Sequence, residues 1–199
     1  MFDYIFTNTS TVLNRLGEHI FLFLISWAVA LVIGLIIAIV STRPGRQKIG
    51  RTILSVTGAA QSVPSIAIIA IVFIFLGIGA LPAIFALFLY SLVPITFNAA
   101  SGLLNVAWGM KKAARGMGMT DRQVLFRVEM PAAMPAIAAG ARSAATINIG
   151  TATIAAVIGA GGLGEIIFIG LRVSHESMIL SGALVAALLA IVVDTILGI

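Results

Sequence analysis

The chain has no cysteine among its 199 residues, which excludes disulfides, thiolate nucleophiles and cysteine-based metal sites. Histidine is almost as rare. His19 and His175 lie far apart, each near the end of an apolar run, so they read as interfacial or loop residues and no metal site is expected. Charge is scarce as well, with seven acids and twelve bases making up 10% of the residues. A soluble surface of this size carries roughly 25–35% charged residues, which this composition does not supply. Residues 52–110 form a run of 59 without a single Asp, Glu, Lys or Arg. The phosphate-binding pattern G-x-x-x-x-G-K-[ST] is missing too, so no catalytic residue and no cofactor is expected on this polypeptide.

What fills the chain instead is hydrocarbon: 60% of residues are hydrophobic and the mean hydropathy is +1.16. The uncharged run alone is long enough for two membrane crossings of ~20 residues each. The apolar segments predict an all-α membrane protein with about five transmembrane helices, over residues 20–40, 54–78, 82–106, 131–158 and 178–199. Residues 1–199 are read as one transmembrane domain. Its first 19 residues carry Phe2, Tyr4, Ile5, Phe6, Val12, Leu13 and Leu16, a composition suited to an interfacial segment. They hold Arg15 as their one base beside Asp3 and Glu18, which is not the basic start of a secretory leader. Pro64, within Gln61-Ser62-Val63-Pro64-Ser65, is expected to kink or interrupt the second span.

The formal net charge of +5 is concentrated beside the spans, which argues for membrane orientation and not for nucleic acid. Residues 41–52 hold Arg43, Arg46, Lys48 and Arg51 with no acid. Residues 107–130 hold Lys111, Lys112, Arg115, Arg122 and Arg127 against two acids. The opposite segments hold Arg15 and Arg172 against four acids. The bias puts both basic loops in the cytoplasm, the N-terminus outside and the C-terminus inside a plasma or inner membrane.

Residues 107–130 are the polar exception between apolar runs. Lys112-Ala113-Ala114-Arg115 contains good helix formers, and Gly116 and Gly118 then permit a turn. Thr120 with Gln123 three residues on makes a T-x-x-Q capping box, with Asp121 in the first helical turn. A second short helix is expected over 121–129, and Pro131 is placed as a first-turn proline of span four.

This segment resembles the coupling loop of binding-protein-dependent ABC importer permeases, whose pattern is E-A-A, three residues, G, nine residues, I-x-L-P. Ala113 and Ala114 match the alanines, Gly118 the glycine, and Val128, Met130 and Pro131 the I, L and P. Lys112 stands in place of the glutamate. Met117-Gly118-Met119, Gly150-Thr151-Ala152-Thr153 and the run from Ile158 to Gly164 extend the likeness towards permeases of osmoprotectant importers for glycine betaine, choline and carnitine. The methionine-importer permease shares the five-span core and is the alternative. The resemblance implies a second permease chain, identical or closely related, two cytoplasmic ATPase subunits docked on Lys112, Ala113, Ala114, Gly118, Thr120, Val128 and Pro131, and an external solute-binding protein meeting a glycine-rich turn and short helix over 159–177. ATP hydrolysis would then belong to the partner subunits, and this chain is not an enzyme.

Gly159, Gly161 and Gly164 satisfy G-x-G-x-x-G, but they follow a membrane helix and not a strand, so a tight turn is the reading and not a dinucleotide site. Polar side chains inside spans face other helices or a water-filled path. Gln61, Ser62, Ser65, Asn98, Thr146, Asn148 and Thr151 are the candidates for a translocation path, with interhelical hydrogen bonding as the competing role. A stand-alone secondary transporter would show intramembrane acids and inverted repeats, neither of which is evident in spans one to four, and a pure anchor subunit would not need the polar cluster. Because the chain is free of cysteine, orientation is directly measurable. Single cysteines at Arg46 and Ser174 should react with a membrane-impermeant maleimide from opposite faces of sealed vesicles; labelling from one face would overturn the topology.

Overall fold

The structure is a computed structural model describing residues 3–198; Met1, Ile199 and Phe2, the last counted above among the interfacial aromatics, lie outside the described residues. Every regular element is helical: α1 (Asp3–Thr7), α2 (Thr9–Ser41), α3 (Gln47–Ala60), α4 (Ser65–Leu76), α5 (Ala80–Asn105), α6 (Trp108–Gly116), α7 (Asp121–Val124), a π turn (Leu125–Glu129), α8 (Met130–Ala155), a 3₁₀ turn (Ala156–Ile158), α9 (Leu163–Arg172) and α10 (Glu176–Leu197). Helix is what a single apolar segment must form in hydrocarbon, because each backbone N–H and C=O finds its partner within the segment. Among the described residues four helices are long and apolar enough to span a bilayer, and the pair Lys48–Ala60 and Ser65–Leu76, bent by 97°, makes a fifth when taken together.

The break in that pair falls at Pro64, which adopts an extended conformation (φ −60°, ψ 135°) and begins α4. The proline cannot continue the hydrogen-bond ladder and drives the preceding residue out of the helical region. The first span is longer than the sequence suggests. No proline interrupts residues 9–41, so the expected interfacial stretch from Thr9 onward is continuous with the span, and only α1 is separate. Tyr4 N–H of α1 donates to Ser177 Oγ at 3.1 Å.

The contacts divide the chain into two compact units. The first comprises Met1–Ala30, Val63–Ser91 and Ala144–Ile199. Its apolar core holds Leu22, Val72, Leu87, Ala152 and Ile158. Asn148, 1% exposed, donates to Ser26 Oγ at 2.8 Å and to Ser91 Oγ at 2.6 Å, linking α8 to α2 and α5. His19 is fully buried and its Nε2–H donates to Ile149 O at 3.1 Å, so it is not the interfacial residue its position suggested. A carbonyl only accepts, which fixes the proton on Nε2. His175 instead caps α10, accepting from Met178 N–H.

The glycine-rich turn of this unit is set by close approach. Gly161 and Gly162 have φ of 78° and 74°, and Glu18 Oε2 accepts from Gly162 N–H at 2.8 Å. Arg15 joins Glu18 (2.8 Å) to Glu165 (2.6 Å) beside it. A Cβ added at Gly164 would run into the Thr153 carbonyl oxygen, and one at Gly170 or Gly182 would meet the facing helix of the α9–α10 hairpin.

The second unit comprises Leu31–Ser62 and Leu92–Ser143, with Ala38, Ala99, Ala100, Leu103, Leu125 and Ala133 in its core. Its helices approach through small residues. A Cβ at Gly102 would lie 2.8 Å from the Ala136 methyl, and one at Gly140 would lie 2.7 Å from Asn98 Cβ. In lipid such contacts replace the hydrophobic drive that packs soluble helices. A paired substitution tests this mode of packing. Gly164→Ala should lose about 3 kcal/mol or more in detergent unfolding because its site is overfilled. Gly150→Ala, whose added methyl meets nothing within 4 Å, should be neutral or stabilising; equal effects would refute the argument.

Candidate functional site

The polar segment folds as α6, a tight turn and α7, all within the second unit. The turn is a Schellman closure: Met119 N–H donates to Ala114 O at 3.2 Å and Gly118 N–H to Arg115 O at 2.9 Å. Gly118 takes φ of 83° and is the glycine the turn requires, whereas Gly116 is the last residue of α6. The capping box forms as read from the sequence. Gln123 N–H donates to Thr120 Oγ1 at 3.3 Å, and Thr120 N–H donates to Gln123 Oε1 at 2.8 Å. Arg115 pairs with Asp121 across the turn at 3.1 Å, an exposed pair contributing ~0–1 kcal/mol.

The inner face of this helix pair is fastened by Ala114, Val124 and Leu125, all buried, while Ala113 faces outward. The outer face is open and mixed: Trp108 is 70% exposed, Met117 72% and Phe126 56%, among the exposed Lys112, Arg115, Asp121, Arg122 and Gln123. Lys112, in the position of the pattern's glutamate, places Nζ 4.7 Å from the centre of the Trp108 ring, a cation–π contact. Val128 is half-buried and Pro131 exposed.

Pro131 does not begin a new helix, contrary to the expectation above. Helix runs on from Asp121 to Ile158 through the π turn, where Met130 N–H reaches Leu125 O, five residues back. Proline has no N–H to give and its ring crowds the carbonyl four residues before it; the wider turn accommodates both.

Sequence reasoning missed Glu129, which is 5% exposed at the end of that turn. Arg43 Nη1 approaches its Oε2 to 2.8 Å, an ionic contact without hydrogen-bond alignment, and Lys111 Nζ lies 3.5 Å from Oε1 while donating to Leu103 O at 3.1 Å. One carboxylate thus holds a cation from each of the two basic segments. The available signal was an acid set between Val128 and Met130 at the edge of a span, a place where an unpaired charge is costly.

The path candidates are divided between the two units, Gln61, Ser62 and Asn98 in the second and Ser65, Thr146, Asn148 and Thr151 in the first. Gln61 and Ser62 are exposed at the break before α4, and Ser65 is half-buried at its start. Asn98 Nδ2 donates to Pro94 O of its own helix at 2.8 Å. Thr146 is exposed and donates to Asp194 Oδ1 at 3.4 Å. Asn148 and Thr151 are buried, the former in the three-helix junction described above.

Residues 30–199 match the family model described as "Binding-protein-dependent transport system inner membrane component". The chain is 36% identical over 199 residues to the glycine betaine/carnitine/choline transport system permease protein OpuCB of Bacillus subtilis (strain 168), covering 100% of this chain and 91% of that protein. It is 39% identical over 191 residues to the carnitine transport permease protein OpuCB of Listeria monocytogenes, covering 96% and 87%. Among solved structures, a chain of the inward-facing MetNI methionine ABC transporter superposes with a TM-score of 0.80 at 23% identity, covering 96% of this chain and 94% of that one, a likeness of fold.

The buried carboxylate yields a quantitative test. Glu129→Gln should lower stability in detergent by about 1–3 kcal/mol, the cost of leaving partly buried cations without their anion. Arg43→Met in the same chain should recover about 1 kcal/mol or more of that loss in a double-mutant cycle. Additive losses would show that the pair is not coupled.

Proposed function

The chain belongs to the family of binding-protein-dependent transport system inner membrane components and is the permease component of an ABC importer; from that premise we propose that α6, the Gly118 turn and α7 form the surface on which a separate ATPase docks. The exposed apolar side chains of Trp108, Met117 and Phe126, on a short helix pair capped at its turn and fastened below by Ala114, Val124 and Leu125, carry this reading. A docking element must present area to its partner and transmit displacement without fraying. The Schellman closure and capping box satisfy the free ends of both helices at the turn, so a push on the pair moves it as a body.

The working assembly is two permease chains enclosing the path, two cytoplasmic ATPase subunits and an external solute-binding protein. The termini are assigned outside (N) and cytoplasmic (C). The pairing of Arg43 and Lys111 with one carboxylate supports putting the two basic segments on the same, cytoplasmic side. ATP-driven closure then biases two states of the path through different contacts in each, as any ligand-driven shift requires. Gln61, Ser62, Ser65 and Thr146 are the side chains available to that path, while Asn148 holds the helices that border it. The substrate class is quaternary-ammonium osmoprotectants, supported by relatives whose names specify glycine betaine, carnitine and choline. A methionine-type substrate has the fold likeness alone behind it.

Reconstitution with the cognate ATPase and binding protein tests both halves. ATP-dependent uptake of labelled glycine betaine, carnitine or choline, and none of methionine, is the expected result. Gly118→Asp should abolish that uptake and release the ATPase on purification while the chain stays inserted. Aspartate is tolerated in the left-handed region better than most residues, so the fold should survive the change. Normal uptake by this variant would contradict the docking role.

A further inference from the structure

Within the first unit a cavity of about 640 Å³, in the range of small-molecule sites, opens between α4, the turn after α8 and one face of α9. Its chemistry is uneven. Ile78 and Val157 line it with exposed apolar side chains, Phe73 and Phe168 supply aromatic rings, and Glu165 and Arg172 supply charges of opposite sign. Glu165, Phe168 and Arg172 are spaced i, i+3 and i+7 on α9, so they share a face, in the order acid, aromatic, base. Seven residues of helix separate the two charges by roughly 10 Å along the axis.

We propose that this cavity is a subsite for a short zwitterion with a quaternary ammonium at one end and a carboxylate at the other, on the side of the membrane where the solute arrives. The inference rests on the substrate reading above and adds the residues that recognise it. An ammonium bearing methyl groups has no N–H to donate. It is held by aromatic faces and by a carboxylate at a distance, which is the provision at Phe73, Phe168 and Glu165. Arg15 occupies Glu165 Oε1 at 2.6 Å and fixes the side chain, leaving Oε2 to the ligand. Arg172 is exposed at the end of α9 and offers a planar fork to the ligand carboxylate. Choline carries the ammonium but no carboxylate, so it uses the aromatic and acidic half only. The site therefore separates two classes of quaternary amine by one residue.

The test is equilibrium binding of labelled glycine betaine and labelled choline to the assembled permease–ATPase complex in nanodiscs, with the binding protein left out. The intact complex should bind both ligands saturably. Arg172→Gln should weaken glycine betaine about tenfold and choline less than about twofold. Phe168→Leu should weaken both, and Phe168→Tyr, which keeps the ring, should restore both and so controls for misfolding. Loss of both ligands in Arg172→Gln, no effect in either, or no saturable binding to the intact complex would each overturn the subsite. ATP-driven uptake by the full wild-type assembly is scored separately. Uptake that persists alongside any of those results defeats the subsite alone, whereas an assembly that takes up no quaternary amine defeats the substrate reading beneath it.

Discussion

The structure rests on a constraint imposed by hydrocarbon: there is no water in it to receive a backbone polar group, and no hydrophobic gain in pressing one apolar helix against another. The first half of that constraint makes every described element helical. The second makes association depend on close approach and on a few polar contacts. The close approaches are visible at Gly102 and Gly140 in one unit and at Gly164, Gly170 and Gly182 in the other, where even a methyl group has no room. The polar contacts are correspondingly few and deeply placed. Asn148 joins three helices, His19 holds the Ile149 carbonyl, and Glu129 gathers two cations.

These contacts serve each of the two units separately. Beside the glycine-rich turn, Arg15, Glu18 and Glu165 fix a backbone that has taken left-handed φ values at Gly161 and Gly162. Beside the polar helix pair, Glu129 fixes Lys111 and Arg43, one from each basic segment. On the outer side of the pair, Trp108, Met117 and Phe126 stand exposed among the polar Asp121, Arg122 and Gln123 of α7, and a lysine resting on Trp108 stands where the pattern has glutamate. The helix pair therefore keeps its shape through turn chemistry and buried alanine, independent of an acid at that position.

Local features were legible in the sequence because their causes are local. Pro64 disfavours helix at the residue before it, Gly118 is one of two nearby glycines that suit a left-handed turn, and Thr120 with Gln123 caps a helix from four consecutive residues. The polar run between apolar spans marked the candidate site for the same reason. What escaped notice depends on neighbours distant in the chain. His19 looks interfacial until Ile149, 130 residues away, supplies its acceptor. Glu129 looks like an ordinary helix-end acid until Arg43 arrives from another segment. Pro131 looks like a start signal, because a rule about prolines in regular helix does not anticipate one wide turn that absorbs the missing donor. The path candidates were chosen by polarity alone, and polarity does not say whether Asn148 turns towards water or towards two serines.

The wide turn at Leu125–Glu129 has a mechanical consequence. It carries helix from Asp121 through Pro131, so α7 and the start of α8 are joined without a break. A hinge at Pro131 would let the surface element swivel and dissipate whatever force reached it. Without that hinge, and within the second unit, a displacement of α7 passes directly to the first turn of α8.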